Sequence, residues 1–302
     1  MTLAPPLRLL LIAAIVLTAA FALPLVDLVR FALKSDLYSH IVLMPVITGF
    51  LIWSDRSRLP TTYTRDSFAA VLPAGLGLIL LGGYALALGT GLKFSVDDRL
   101  ATLTAAYVLL LVGATGGLLG RSVLREVAFP ASLLVFMFPM PTVVVEAVET
   151  FLQYGSAEVS YWFFVGTGTT IFRQGLIFEL PGITLQVAPE CSGIHSSLAL
   201  FITSLVAGHF FLRSRLNRTL LALAVIPLAL LRNGFRILTI GLLCVHVSPD
   251  MIHSYIHREG GPIFFGLSLL PFGLLLLYLR RRETRQASRG EPQKHRDAQA
   301  AV

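Results

Sequence analysis

The chain has 302 residues, of which 55% are hydrophobic and only 14% charged, with a formal net charge of +7. With a mean hydropathy of +0.76, this composition excludes an ordinary soluble domain and reads as a multi-pass membrane protein. The basic excess calls for no nucleic-acid partner, because the cytoplasmic loops of membrane proteins are enriched in Lys and Arg.

Apolar runs near the ~20 residues that cross ~30 Å of hydrocarbon recur at residues 7–29, 40–54, 68–91, 102–119, 128–147, 194–212, 219–247 and 262–279. The expected fold is therefore all-α, with about eight transmembrane helices embedded in membrane lipid. The second run is the shortest. The first admits two readings. Arg8 before an apolar stretch and the small residues Ala20 and Ala22 suit a cleaved signal peptide, whereas continuation of the apolar run to Val29 suits an uncleaved anchor better.

Loop charge sets the orientation. With the N-terminus inside, the cytoplasmic segments hold sixteen of the 24 basic residues and the outer segments six, while Arg232 and Arg236 lie within the seventh span. That asymmetry puts both termini in the cytoplasm. Residues 1–279 then form one polytopic domain. The tail 280–302, basic and without apolar periodicity, is expected to be disordered.

The longest outer segment, residues 148–190, prepares the approach to Cys191. An amphipathic surface helix suits 151–165. After it, TTIFRQGLIFELPGITLQVAPECSG shows partial alternation of aliphatic and polar residues, with Gly175, Pro181 and Gly182 as turn signals, and predicts a short hairpin on the membrane. No internal repeat, phosphate-binding glycine loop or nucleotide fingerprint is present, and no cofactor is implied.

The two cysteines differ in their surroundings. Cys244 sits among Leu, Val and Gly, where a small buried hydrophobe is the ordinary account. Cys191 lies in PECSGIHSS (189–197), a polar stretch at the start of a helix whose unpaired amides favour an anion. A thiol attacks as the thiolate, so a catalytic cysteine needs a positive charge, a base or a helix N-terminus close by.

Arg232, Asn233 and Arg236 interrupt the seventh apolar run. An arginine at mid-membrane costs about 2.5–3.5 kcal/mol on insertion scales, so such residues face a protein interior and serve a site or a pathway. A guanidinium can stabilise a thiolate or an oxyanion. Arg232, one turn from Arg236, suits a structural partner as well as a substrate contact, and Asn233 can fix a guanidinium or bond across helices. His253 and His257 fall in the following loop, where an imidazole could take and return a proton. With His246 they also permit a metal-binding reading, but no HExxH-type motif accompanies them and no metal is expected. His40 and His195 stand near outer boundaries, where interfacial hydrogen bonding and a site role both remain open.

These residues fall into four motifs that resemble the exosortase and archaeosortase family of membrane cysteine transpeptidases. SDLYSHIVLMP (35–45) is similar to the family's early YSH segment. FRQGLIFELPGITLQVAPECSG (172–193) is similar to the approach to its CSG motif, NGFRI (233–237) to NxxRI, and HREGGPIFF (257–265) to HxxxG ending in Phe. Carried over residue by residue, the resemblance implies Cys191 as nucleophile, Arg236 as assisting guanidinium and His257 as acid or base. It favours Arg236 over Arg232 and, through Gly261, His257 over His253. Ser192, Gly193, Asn233, Arg232, Gly261 and His40 become supporting or substrate-binding residues. His195 departs from the Arg that family members often carry soon after CSG, which bears on substrate subclass.

The resemblance further implies secreted protein substrates with a C-terminal sorting signal made of a Pro-containing motif, a membrane helix and a basic cluster. Cleavage at the outer face of a bacterial inner membrane would pass the product to an acceptor such as a glycan or lipid amine. The rival reading is a transporter or channel that binds anions through Arg232 and Arg236.

Overall fold

The computed structural model describes residues 4–189, 192–254, 256 and 260–299, with side chains through Gln286. Cys191 and His257 lie outside the described residues. The described residues group into two compact units, Met1–Val145 and Glu146–Val302.

The first unit begins with helices α1 (Pro5–Ala20) and α2 (Ala22–Lys34). The first apolar run is thus not one straight span, because the chain bends by 70° at Phe21. The second run becomes a 3₁₀ turn at Ser39–Leu43 followed by α3 (Met44–Ser54). At 1.5 Å per residue, the 11 residues of α3 rise only about 16 Å, too little to cross the hydrocarbon alone.

Helix α4 (Ser67–Gly89) opens on Asp66, whose carboxylate accepts the amides of Phe68 and Ala69. Helix α5 (Val96–Leu119) opens on Ser95, whose hydroxyl accepts the Asp98 amide and donates to the Asp98 carboxylate. Both caps satisfy amides that a helix leaves unpaired at its start. The two helices pack through small residues. A Cβ on Gly113 would lie 2.8 Å from Ala74 Cβ, and one on Gly117 would lie 2.9 Å from Ala70 Cβ, which is the close backbone approach that apolar membrane helices use for association.

Short helices α6 (Arg121–Glu126) and α7 (Ala128–Ser132) and a 3₁₀ turn at Leu133–Met137 follow. The expected span at 128–147 is broken here. Pro139 and Pro141 each remove an amide donor and push the preceding residue out of the helical region, and Phe138 is extended. Helix α8 (Thr142–Gly166) begins after this break.

The second unit is built on α8, a small sheet and the last helices. Strands β1 (Phe172–Gln174), β2 (Ile177–Leu180) and β3 (Ile183–Gln186) form an antiparallel sheet in that order. The expected hairpin is present and gains a third strand. Both of its two-residue turns use a glycine at positive φ, Gly175 at 60° and Gly182 at 83°, as tight hairpin turns require. Phe178, Leu180, Leu185 and Val187 turn inward and pack with Ala157 and Phe164 of α8.

Helices α9 (Ile194–Phe211), α10 (Arg215–Leu223), α11 (Val225–His246) and α12 (Gly261–Gln299) complete the chain. Leu200, Leu212, Leu221, Val225, Phe272 and Leu279 form a second core among them. Glu283 of α12 accepts the amides of Arg213 at 2.8 Å and Ser214 at 2.9 Å, and Asn217 Nδ2 at 2.7 Å. One carboxylate thereby holds the α9–α10 connection.

Five described helices are long and apolar enough to cross a membrane, or up to seven spans if each bent pair counts as one. The all-α multi-pass architecture stands, with fewer straight spans than the eight apolar runs suggest. Helix α12 also runs on through Gln299, where disorder was expected from residue 280. Arg, Glu, Gln and Ala are good helix formers, and extending a helix that packing has already nucleated avoids the cost of starting one.

Candidate functional site

Helix α11 packs against α8 through glycines. A Cβ on Gly234 would stand 2.6 Å from Val159 Cγ1, and one on Gly241 would stand 2.5 Å from the Phe164 ring. Any side chain at either position would push the helices apart. The Ser160 hydroxyl donates to Ser156 O at 2.6 Å and to Gly234 O at 3.4 Å, so a polar contact accompanies the approach.

This packing brings the polar group of α11 to the residues that follow Cys191. Asn233 Nδ2 donates to Ser192 O at 3.3 Å. Arg232 Nη2 donates to Gly193 O and to Ser197 Oγ, each at 3.1 Å. Ser192 is 1% exposed, Asn233 2% and Arg232 8%, which puts these bonds in an environment where an unmade one costs about 1–3 kcal/mol.

The loop is shaped to receive them. The Ser192 amide donates to Pro189 O at 2.9 Å. Gly193 follows at φ 73°, in the left-handed region that only glycine enters at low cost. A Cβ there would also lie 3.0 Å from Arg232 Nη2 and 3.3 Å from Asn233 Oδ1. The Ser197 hydroxyl donates to Gly193 O at 2.7 Å and accepts from Arg232. Upstream, Gln153 Nε2 donates to Val187 O at 3.1 Å, tying the strand that leads into the loop to α8.

Arg236, one turn along α11 from Arg232, lines a cavity of about 40 Å³ with Leu185, Gln186, Val187, Asn233, Ile237, Ile240 and Ile252. That volume accommodates a water molecule or a small group. The cavity sits between the end of β3 and the middle of α11.

The structure thus brings together Ser192, Gly193, Arg232 and Asn233, with Arg236 adjoining. Of the alternatives left open by the sequence, Arg232 is a partner of the loop backbone, and Asn233 bonds across to the loop. Other candidates stand elsewhere. His40, in the first unit, has its Nδ1 3.0 Å from Leu37 O. His253 ends a 3₁₀ turn at Pro249–His253 and is exposed, as is His195. Gly261 begins α12, where a Cβ would meet nothing within 4 Å. Cys244 is buried and free. Gln153 escaped notice in the sequence, although a glutamine flanked by apolar residues in a helix is a signal that it bonds to something buried.

The model of the transmembrane exosortase family matches residues 30–274. The chain belongs to the transmembrane exosortase family. No curated protein and no solved structure matches it. The matched range spans every residue of the site in this exosortase-family chain, from Gln153 through Arg236, and both residues of the carried-over pair that lie outside the described residues. It leaves out α1, most of α2 and α12 beyond residue 274.

Proposed function

We propose that this protein is a membrane cysteine transpeptidase that removes the C-terminal sorting tail of secreted proteins at the outer face of a bacterial inner membrane. Cys191 is the nucleophile, Arg236 the guanidinium that favours its thiolate and the oxyanion, and His257 the acid and base. The observation that carries the reading is the double attachment of α11 to the loop, through Asn233 to Ser192 O and Arg232 to Gly193 O. These bonds fix the backbone immediately after Cys191, with Arg236 one turn further along the same helix.

In the reaction, His257 accepts the thiol proton as Cys191 Sγ bonds to the scissile carbonyl carbon. Collapse of the tetrahedral intermediate breaks the C–N bond, and the leaving amine takes that proton. The result is a thioester and a released membrane tail. An amine from a glycan or lipid, or water, then attacks the thioester, returns the proton to the thiolate and frees the enzyme. A substrate whose own helix lies in the same bilayer, with its basic cluster inside, brings the peptide to the outer face before any bond is made. The loop charge asymmetry supports that orientation, with both termini cytoplasmic.

An anion-pathway role for Arg232 has less support, because its Nη2 is committed to a backbone carbonyl and a serine hydroxyl. The deciding experiment coexpresses a secreted reporter that ends in the host's own C-terminal sorting tail with wild type, Cys191→Ala or Cys244→Ala. Loss of the tail with wild type and Cys244→Ala, but not with Cys191→Ala, is expected by gel shift, and mass spectrometry identifies the cleavage site and acceptor. Normal processing by Cys191→Ala would remove the proposed nucleophile and turn attention to transport.

A further inference from the structure

Strand β3 ends the sheet, and its outer side has no neighbouring strand among the described residues. The register settles which of its backbone groups face outward. Leu180 pairs with Ile183 across the two-residue turn, followed by Glu179 with Thr184, Phe178 with Leu185 and Ile177 with Gln186. In an antiparallel ladder, residues that exchange hydrogen bonds alternate with residues that do not, and those flanking a two-residue turn exchange them. The Val187 amide donates to Leu176 O at 3.0 Å, in phase with this alternation. Ile183, Leu185 and Val187 therefore direct their backbone groups to β2, while Thr184 and Gln186 direct theirs to the open edge.

The edge is exposed and polar on its outer face, where the Thr184 and Gln186 side chains stand in the open. Its inner face carries Leu185 and Val187 to the cavity lined by Ile237, Ile240, Ile252 and Arg236. Gln186 O is taken by the Ala188 amide at 3.1 Å, which leaves the Thr184 amide, the Thr184 carbonyl and the Gln186 amide as the outward set. Cys191 follows Gln186 by five residues, a reach of no more than roughly 17 Å. An unpaired edge is a template for an incoming strand, and main-chain pairing to such an edge is a general mode of peptide capture.

We propose that the edge of β3 receives the substrate peptide as a fourth strand, through the backbone groups of Thr184 and Gln186, and so brings the scissile region toward Cys191. This inference rests on the peptide-cleaving reading above and adds how the peptide is held. A peptide residue beside Leu185 would direct its side chain to the same face as Leu185 and so toward the small cavity, which fits an apolar side chain of modest size.

Proline provides the test, because at positions 184 and 186 it removes an outward N–H that β2 does not use and is tolerated on an edge strand. Processing of the sorting-tail reporter by the full-length protein in membranes is followed for Thr184→Pro, Gln186→Pro, Thr184→Ala, Gln186→Ala and Cys191→Ala. Each proline variant should slow processing about fivefold, the worth of one backbone hydrogen bond, relative to the alanine variant at the same position, which keeps the outward N–H. If both proline variants process at the wild-type rate while Cys191→Ala is inactive, strand addition is overturned and the peptidase reading stands. If Cys191→Ala remains active, the peptidase reading itself fails.

A second measurement covers the case in which a proline variant does not accumulate. Benzoylphenylalanine placed at position 184 of the full chain carrying Cys191→Ala should crosslink to the same reporter, provided that wild type processes it. Absence of a crosslink to a processed reporter overturns the proposal.

Discussion

Arg232 and Gly193 are joined by a 3.1 Å hydrogen bond between residues 39 apart in the chain. It connects the middle of a membrane helix to a carbonyl two residues after Cys191, and the same guanidinium nitrogen reaches Ser197. A buried arginine thereby shapes a loop through the loop's main chain.

Replacement of Arg232 by methionine keeps the apolar stem and removes both bonds. Hydrogen bonds to a charged group contribute about 1.5–3 kcal/mol each, so Arg232→Met should lower the melting temperature in detergent by about 5 °C or more. Arg232→Lys should recover part of that, since an ammonium can serve one acceptor. A variant that melts like wild type yet processes nothing would make Arg232 a substrate contact instead.

Gly193→Ala faces two penalties at once, a left-handed backbone that costs an L-residue about 1–2 kcal/mol and a Cβ 3.0 Å from Arg232 Nη2. Accumulation in the membrane should be reduced modestly, whereas processing of the reporter should fall by tenfold or more, because the new Cβ crowds both Arg232 and Asn233, which hold the carbonyls of the two residues after Cys191. Equal losses in abundance and activity would assign Gly193 to folding alone.

At the α8–α11 contact, Gly234→Ala should destabilise by about 1–3 kcal/mol, the usual range for overpacking, since Val159 and Ser160 crowd that position. Gly82→Ala on α4 is the control, because a Cβ there meets nothing within 4 Å and alanine favours the helix. Thermal unfolding of the two variants side by side checks the difference. A Gly234→Ala protein as stable as wild type would show that the helices can separate freely.

For the HxxxG segment, the crowded position is Gly260, whose Cβ would run into the Ile256 carbonyl oxygen, and not Gly261, whose Cβ would enter open space. Gly260→Ala is expected to lose stability and processing together, and Gly261→Ala to keep its melting temperature within about 2 °C of wild type, as substitutions without a steric or polar penalty usually do. If Gly261→Ala retains stability but loses processing, that glycine makes room for substrate.

Glu283→Gln removes a carboxylate whose two oxygens receive three donors. An amide offers one acceptor and turns a donor toward a backbone N–H, so the α9–α10 connection should loosen. Trypsin, acting at Arg213 and Arg215, should cut the variant faster than wild type in inverted membranes. Unchanged cleavage would mean that the helices on either side hold the connection unaided.

The sequence by itself determined that the chain lives in a bilayer, because hydropathy is a local sum that no packing partner can reverse. It also determined the hairpin turns, since Gly175 and Gly182 carry a backbone requirement that is local, and it picked out the polar residues of α11, whose burial in an apolar run demands partners. What it left to the tertiary structure was the identity of those partners. Arg232 meets Gly193, Gln153 meets Val187, and glycines at 234 and 241 let α11 lie close to α8, all matters of shape between segments far apart in the chain. The number of straight spans was likewise decided in three dimensions, where Pro139, Pro141 and the bend at Phe21 break apolar runs that composition alone counts as continuous.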